Sequence, residues 1–226
     1  AAMIRGNAEL KNGYNYNIDL RYERFDQQNS NNMFSITGYA KILEDPIERT
    51  QTLSGGAAVH SFQNADTGVA AGVGVEFRRE LFRDFCVGAN ASYMYTNVQL
   101  PEGGAYTNAQ RSLQGASPYL VNADISYAPK FKNDTQLTAT LLYNLQGPRI
   151  HAVGISGLGD VKQEDLHTLD FVATYKLNDH WNFKLQMTDL LNQDIVFKQE
   201  VKDGRKVEVE RYGRGTTFEL GFSYTL

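Results

Sequence analysis

The sequence predicts an all-β fold, a transmembrane antiparallel β-barrel with about ten strands in this chain. Three observations carry that prediction. The closing residues Phe218-Glu-Leu-Gly-Phe-Ser-Tyr-Thr-Leu226 alternate apolar and polar side chains, so one face of a strand is apolar throughout. The same alternation recurs in segments of about ten to fourteen residues, the length that crosses a bilayer at a tilt. Over the last six segments, short and long connections also alternate, as they do when one end of a barrel carries turns and the other carries loops.

In chain order the segments fall near 14–26, 33–44, 57–65, 68–80, 85–98, 118–128, 134–146, 166–177, 181–191 and 214–226. The first sets Tyr14, Tyr16, Ile18, Leu20 and Tyr22 against Asn15, Asn17, Asp19, Arg21 and Glu23. Tyr119, Val121, Ala123, Ile125 and Tyr127 alternate with Leu120, Asn122, Asp124 and Ser126, and Leu137, Ala139, Leu141, Tyr143 and Leu145 with Thr138, Thr140, Leu142 and Asn144. The weakest segment is 57–65, where Val59 and Phe62 fall on opposite faces. By parity Leu137, Leu141, Phe171 and Phe222 face lipid. Arg21, Glu23, Glu76, Arg78, Asn122, Asp124, Lys184 and Gln186 then face a polar lumen, since a charge on the lipid side costs a few kcal/mol near the midplane.

With the carboxyl terminus on the inner side, the gaps near 81–84, 128–133 and 177–180 are short inner turns. Those near 98–117, 146–165 and 192–213 are long outer loops. The first four segments break the rule, with a long inner connection at 45–56 and a short outer one near 66. On this scheme Tyr14, Tyr16, Phe85, Tyr127, Tyr175, Trp181 and Tyr224 sit at the inner interface. Tyr22, Tyr93, Tyr95, Tyr119 and Tyr143 sit at the outer one, because amphipathic rings collect at both membrane boundaries.

Composition agrees and excludes alternatives. The chain has 13 Tyr, 12 Phe and 20 Gly but only 5 Pro, a balance suited to strands and tight turns. No apolar run reaches the roughly 18 residues of a membrane helix, so helical spanning is excluded. A net charge of −4 without a basic stripe argues against nucleic-acid binding. The single cysteine, Cys86, has no internal disulfide partner and parity turns it to the lumen. Ala1-Ala-Met-Ile-Arg5 lacks the apolar core of a leader; the expectation is a removed leader or a chain that begins partway through a longer protein.

Candidate chemistry is sparse. His60, His151, His167 and His180 show no metal-ligand spacing. His151 and His167 flank a loop containing Asp160, Glu164 and Asp165, residues from which an outer-rim Asp–His pair able to activate water could form. The glycines of 146–165 lack the Lys-Ser/Thr of a phosphate loop. Alternating charges from Lys198 to Arg211 read as a solvated outer hairpin that contacts substrate or lipopolysaccharide. No cofactor, metal or catalytic residue is expected.

Four stretches carry a family resemblance. Gly6-Asn-Ala-Glu-Leu-Lys11 before Tyr14–Leu20 resembles the entry into a barrel strand of TonB-dependent outer-membrane receptors, with Ala8 and Asn12 where that family has prolines. Phe34 to Ile47, ending Asp45-Pro46-Ile47, resembles the next strand and its inner turn. Phe62-Gln-Asn-Ala65 and Gly74-Val-Glu-Phe-Arg78 resemble a following strand pair. Gly147-Pro-Arg149, Leu169-Asp170, Thr188-Asp-Leu-Leu-Asn192 and Tyr212-Gly-Arg214 resemble the final three hairpins, with Asp189 in place of an asparagine.

The resemblance implies the carboxyl-terminal part of a barrel of roughly 22 strands, occupying 1–226, without its plug. It also implies a Gram-negative outer membrane and active import of a scarce nutrient of the siderophore, vitamin, glycan or peptide class. The implied partners are TonB, through the missing amino-terminal region, the remainder of the barrel and plug, lipid and lipopolysaccharide, and the barrel-assembly machinery. The last strand resembles the signal which that machinery reads, carried by Gly221, Phe222, Tyr224 and Leu226, with Leu226 departing from the usual terminal aromatic. The competing expectation is a self-closed barrel of about ten strands acting as a surface hydrolase or adhesin.

Overall fold

The computed structural model describes residues 3–29, 31–54, 57–100, 106–131, 135–154 and 157–225. In chain order its strands begin with β1 (Met3–Ile4), β2 (Tyr14–Phe25), β3 (Met33–Glu44), β4 (Ile47–Ser54), β5 (Ala57–Asn64) and β6 (Thr67–Phe82). Next come β7 (Phe85–Gln99), β8 (Gln110–Arg111), β9 (Tyr119–Tyr127), β10 (Gln136–Gln146), β11 (Arg149–Ala152) and β12 (Val161–Gln163). The last are β13 (Leu166–Lys176), β14 (Trp181–Thr188), β15 (Ile195–Glu200), β16 (Lys206–Tyr212) and β17 (Thr217–Tyr224). None of the described residues is helical.

Nine of these strands form one wall in the order β2-β3-β6-β7-β9-β10-β13-β14-β17, with β8 attached to the top of β7. Each wall strand is antiparallel to the next in sequence. Consecutive antiparallel pairing keeps every backbone donor and acceptor of the inner strands satisfied without water. The register aligns the apolar sets: Leu137 opposes Tyr175, which opposes Phe183, which opposes Phe222. Leu141 opposes Phe171 and Phe171 opposes Met187, so the four residues expected to face lipid share one face. That face is uncovered by protein, with Leu220 82% and Phe222 75% exposed.

The connections sort cleanly between the two ends. At one end lie 26–32, 83–84, 128–135 and 177–180; at the other lie 45–66, 100–118, 147–165 and 189–216. The short turns mark the inner side and the long loops the outer side. Aromatic pairs accompany the inner turns: Phe85 and Tyr127 have ring centroids 4.5 Å apart, and Trp181 and Tyr224 4.9 Å.

This order corrects the expected start of the chain. Segment 57–65 is no wall strand; β5 pairs with β4 in a hairpin that continues the β3–β6 ladder beyond the wall. Glu44 opposes Thr67 at the end of that ladder, and Thr67 opposes Gln99 beside a long loop, so 45–66 is an outer connection and not an inner one. Asp45-Pro46 is a break within a hairpin: Asp45 adopts φ 49, and Pro46 has no N–H to give, yet its carbonyl accepts from Ala65 N–H at 2.7 Å. Residues near 66 join β5 to β6 and are no turn.

Removing one wall strand reverses the polarity of those before it. Tyr14 opposes Glu44 at the outer end, so Tyr14 and Tyr16 lie outside, and Tyr22 lies towards the inner end beside the 26–32 turn. The rule of short inner and long outer connections then holds along the whole wall.

A wall one layer thick has no protein core of its own, and the buried apolar side chains collect towards its outer end. Ala65, Val98 and Leu100 pack with Tyr106 and Leu113, and Leu166, Ile195 and Phe197 pack with Val161. The polarity is open to direct measurement in a Cys86→Ser background. A cysteine at Lys11 or Asp203 is expected to react with a membrane-impermeant maleimide on intact cells, and one at Asp179 only after lysis. Protection of Lys11→Cys would restore the inner placement of the first wall strand.

Candidate functional site

The polar face, the outer rim and the last strand are the places where function can reside. On the wall, register places Arg21, Glu23, Glu76, Arg78, Asn122, Asp124, Lys184 and Gln186 on the face opposite Phe222. One row runs Glu23-Ser35-Glu76-Asn90-Asn122-Asn144 across six strands. Arg21 reaches Glu23 at 2.6 Å and Glu76 at 3.4 Å. Asn144 Nδ2 donates to Asn122 Oδ1 at 2.5 Å, and Asn122 Nδ2 to Asn90 Oδ1 at 2.8 Å. An amide ladder of this kind leaves outer lone pairs and N–H groups free to meet another polar surface. Arg78 and Asp124 share a second row through Gly88, where a Cβ would stand 2.5 Å from the Asp124 carboxylate. Gly88 is therefore the space into which Asp124 folds.

At the outer end the four long connections are joined in series. A buried ion pair ties hairpin β4–β5 to loop 100–118: Arg111 Nη2 lies 2.8 Å from Glu48 Oε2, with the side chains 3% and 4% exposed. Burial pushes the Glu48 carboxyl up, and the Arg111 cation opposes that push. Loop 100–118 is tied in turn to 147–165, Thr107 N–H donating to Gly154 O at 3.1 Å and Gly115 N–H to Ile150 O at 2.9 Å. Loop 147–165 joins 189–216 in a sheet ordered β11-β12-β15-β16. Within it Lys198 pairs with Glu164 at 3.1 Å.

The loop 189–216 leaves the wall at the family-like element Thr188-Asp-Leu-Leu-Asn192. Asp189 has φ 58 and Asn192 φ 46, conformations that Asp and Asn tolerate better than other side-chain residues. The Asp189 N–H donates to Asp170 Oδ1 at 2.7 Å, and its carboxylate, 5% exposed, lies 3.1 Å from Arg214 Nη2. Sequence reading found this element but not its ion pair with Arg214. Glu48–Arg111 was missed altogether, because its partners lie far apart in sequence, on short strands of two different outer connections whose pairing no periodicity marks.

The histidines do not assemble as an Asp160 site. Asp160 Oδ1 accepts from Gly154 N–H at 2.7 Å, while the His151 ring packs on Phe197 at 4.6 Å. His167 instead joins Tyr143 at 2.6 Å and Asp165 at 3.2 Å, and its backbone N–H donates to Gln193. The His60 side chain lies outside the described residues. His180 caps the inner end of the last strand, Nδ1 lying 2.9 Å from Thr225 O.

On that strand Phe222 opposes Phe183 and Tyr224 opposes Trp181, while Gly221 stands opposite Lys184 on the polar side. Its other edge pairs with no described strand, and neither does the free edge of β2. Leu226 lies outside the described residues.

The buried ion pair makes a measurable claim about the rim. Arg111→Ala leaves the Glu48 carboxylate buried alone, a cost of about 3–5 kcal/mol. Amides of 47–64 are expected to exchange faster, with the wall strands unchanged; unchanged exchange in 47–64 would show that the pair does not hold the hairpin.

Among solved structures, the chain superposes on the copper transporter OprC with a TM-score of 0.69 at 13% identity, over 96% of this chain and 32% of that one. It superposes on the ferric yersiniabactin uptake receptor FyuA from Yersinia pestis with a TM-score of 0.61 at 14% identity, over 94% and 29%. For the FrpB iron transporter from Neisseria meningitidis the TM-score is 0.62 at 14% identity, over 99% and 32%. The chain thus spans about a third of each of these proteins. At such identities the likeness is one of fold. No curated protein matches the sequence. Residues 2–224 match the outer membrane protein beta-barrel family, and the chain belongs to that family and to the bacterial outer membrane.

Proposed function

We propose that this chain is the carboxyl-terminal part of the β-barrel of a TonB-dependent outer-membrane receptor, a transporter and not an enzyme, importing a scarce nutrient of the siderophore, vitamin, glycan or peptide class. The observation that carries the reading is the open nine-stranded wall, which superposes over nearly its whole length on a third of much larger transport proteins. The motif resemblance from Gly6 to Arg214 supports it independently. On this reading the free edges of β2 and β17 are covered by the remaining wall strands. The polar face lines the lumen, where Arg21, Glu23, Glu76, Arg78, Asn122, Asp124, Lys184 and Gln186 meet water and the plug. TonB acts through the amino-terminal region, outside this chain. The joined outer loops contribute to the surface that meets the nutrient.

The surface-hydrolase alternative lacks support in geometry. It needs a wall closed on itself, and β2 and β17 do not pair. It also needs an imidazole nitrogen free to hold a water. His167 does pair with Asp165 through Nε2 at 3.2 Å, but its Nδ1 is taken by Tyr143 Oη at 2.6 Å, which leaves neither ring nitrogen free for a water. Uptake by cells carrying the full-length protein should require both TonB and the proton gradient, and should persist in the His151→Ala, His167→Ala and Asp160→Ala variants. Peptidase or esterase activity that vanished in those variants would overturn the transporter reading.

Gly221, Phe222, Tyr224 and Leu226 form the proposed assembly signal, offered on an edge that the barrel-assembly machinery pairs by strand addition. Gly221 lacks a side chain opposite Lys184, and Phe222 and Tyr224 project to the lipid side. Tyr224→Asp should block insertion in cells, while Thr225→Asp, on the polar side, should be tolerated far better. Equal insertion of the two variants would remove the signal from this strand.

A further inference from the structure

A cleft of about 860 Å³ lies at the inner end of β2, β3 and β6, and five of its lining residues, Tyr22, Arg24, Phe34, Phe77 and Arg79, belong to the lipid-facing side. Arg24 opposes Phe34, and Phe34 opposes Phe77; Arg79 is two residues further along β6 on the same face. With strands about 4.8 Å apart and a rise of about 3.4 Å per residue, the two arginine Cα atoms are about 12 Å apart. Arginine stems are long enough for both guanidinium groups to reach one anion placed between them.

The surrounding charges favour an anion. Neither the Arg24 nor the Arg79 guanidinium has a hydrogen bond or ion pair with a described residue. Asp26 is the acid of the cleft, and it accepts from Gln28 N–H at 2.9 Å and Asn32 Nδ2 at 3.4 Å. Those hydrogen bonds, from Gln28 first, and more weakly the charge of Arg24, hold Asp26 below the ordinary carboxylate range. It offsets one arginine. Arg78, on the opposite face, adds a further positive charge to the lining. Glu23 and Glu80 also lie on that opposite face, occupied by Arg21 and by Asn29.

We propose that Arg24 and Arg79 clamp the phosphodiester of an inner-leaflet phospholipid whose acyl chains lie over Tyr22, Phe34 and Phe77. An arginine fork matches phosphate oxygens two at a time, and the pairing strengthens where water thins at the edge of the hydrocarbon. The rings supply the apolar half of the same ligand, exposed on the surface that lipid wets. Inorganic phosphate shares the charged chemistry but not the apolar half. The site rests on the polarity of the wall and is independent of which nutrient is imported.

The full-length protein in nanodiscs of phosphatidylcholine with phosphatidylglycerol or phosphatidylethanolamine, transferred to detergent and counted by native mass spectrometry, tests this. The unaltered protein should keep a phospholipid through washing, and inorganic phosphate should not displace it. The Arg24→Gln, Arg79→Gln double variant should lose about tenfold or more of that retention, with Arg205→Gln in the outer hairpin unchanged. Retention equal in all three proteins overturns the proposal, as does displacement by inorganic phosphate alone, which would mark a free-anion site. Should the double variant fail to insert, Arg79→Gln alone decides: a several-fold loss supports the clamp and no loss overturns it.

Discussion

Everything in this chain follows from the need to satisfy each backbone N–H and C=O inside a layer that offers no water. Antiparallel pairing of sequence neighbours meets that need with the shortest connections, so the nine wall strands occur in the sheet in the order in which they are made. Pairing also forces the side-chain pattern. Once one face of the wall meets lipid, every strand must present its apolar set in register with its neighbour, and a slip by one residue would turn Phe222 or Leu141 inward. The same requirement acts at β2 and β17, whose free edges pair with no described strand.

Beyond the hydrocarbon the constraint lapses and ordinary globular physics returns. Water solvates exposed backbone there, so the outer connections are free to depart from the wall and pack on one another. They build two small cores, around Val98 and around Phe197. They also bury the pair Glu48–Arg111, which the wall could not hold on its lipid side. A buried pair of this kind contributes little net stability but strongly disfavours separation of its partners. Its consequence is therefore geometric: hairpin β4–β5 and loop 100–118 occupy one relative position.

The sequence revealed the wall well because period two is enforced at every strand by lipid. That Arg21, Asn122 and Lys184 share one face of the wall and Phe222 the other needed only parity. What failed was counting. Segment 57–65 has strand-like residues because it is a strand, and alternation cannot distinguish a hairpin standing above the membrane from one inside it. One strand too many then inverted Tyr14, Tyr16 and Tyr22. The clue was the broken order of short and long connections near 45–66, which vanishes once β4 and β5 are taken out of the wall. The rim contacts had no such signal. Glu48 and Arg111, or Asp189 and Arg214, meet through loops whose sequence carries no period.

The rim and the polar face are joined near the point where β13 begins and β14 ends. Asp170 lies in the wall, on the same face as Asp124, and accepts the Asp189 N–H that begins the last outer loop. Thr216, at the return of that loop, donates to the Asp189 carbonyl at 2.9 Å, and Arg214 closes on its carboxylate. The two stems of 189–216 are thus clamped to one another and to the wall before the loop spreads into β15 and β16. Asp189 holds this junction in a left-handed backbone conformation, φ 58, that L side chains rarely adopt. Since β12 pairs with β15, and Thr107 bonds to Gly154, the clamp also fixes loops 147–165 and 100–118. A ligand on this rim would meet one assembled surface, so its capture would draw little on loop ordering and much on the shape the wall already imposes.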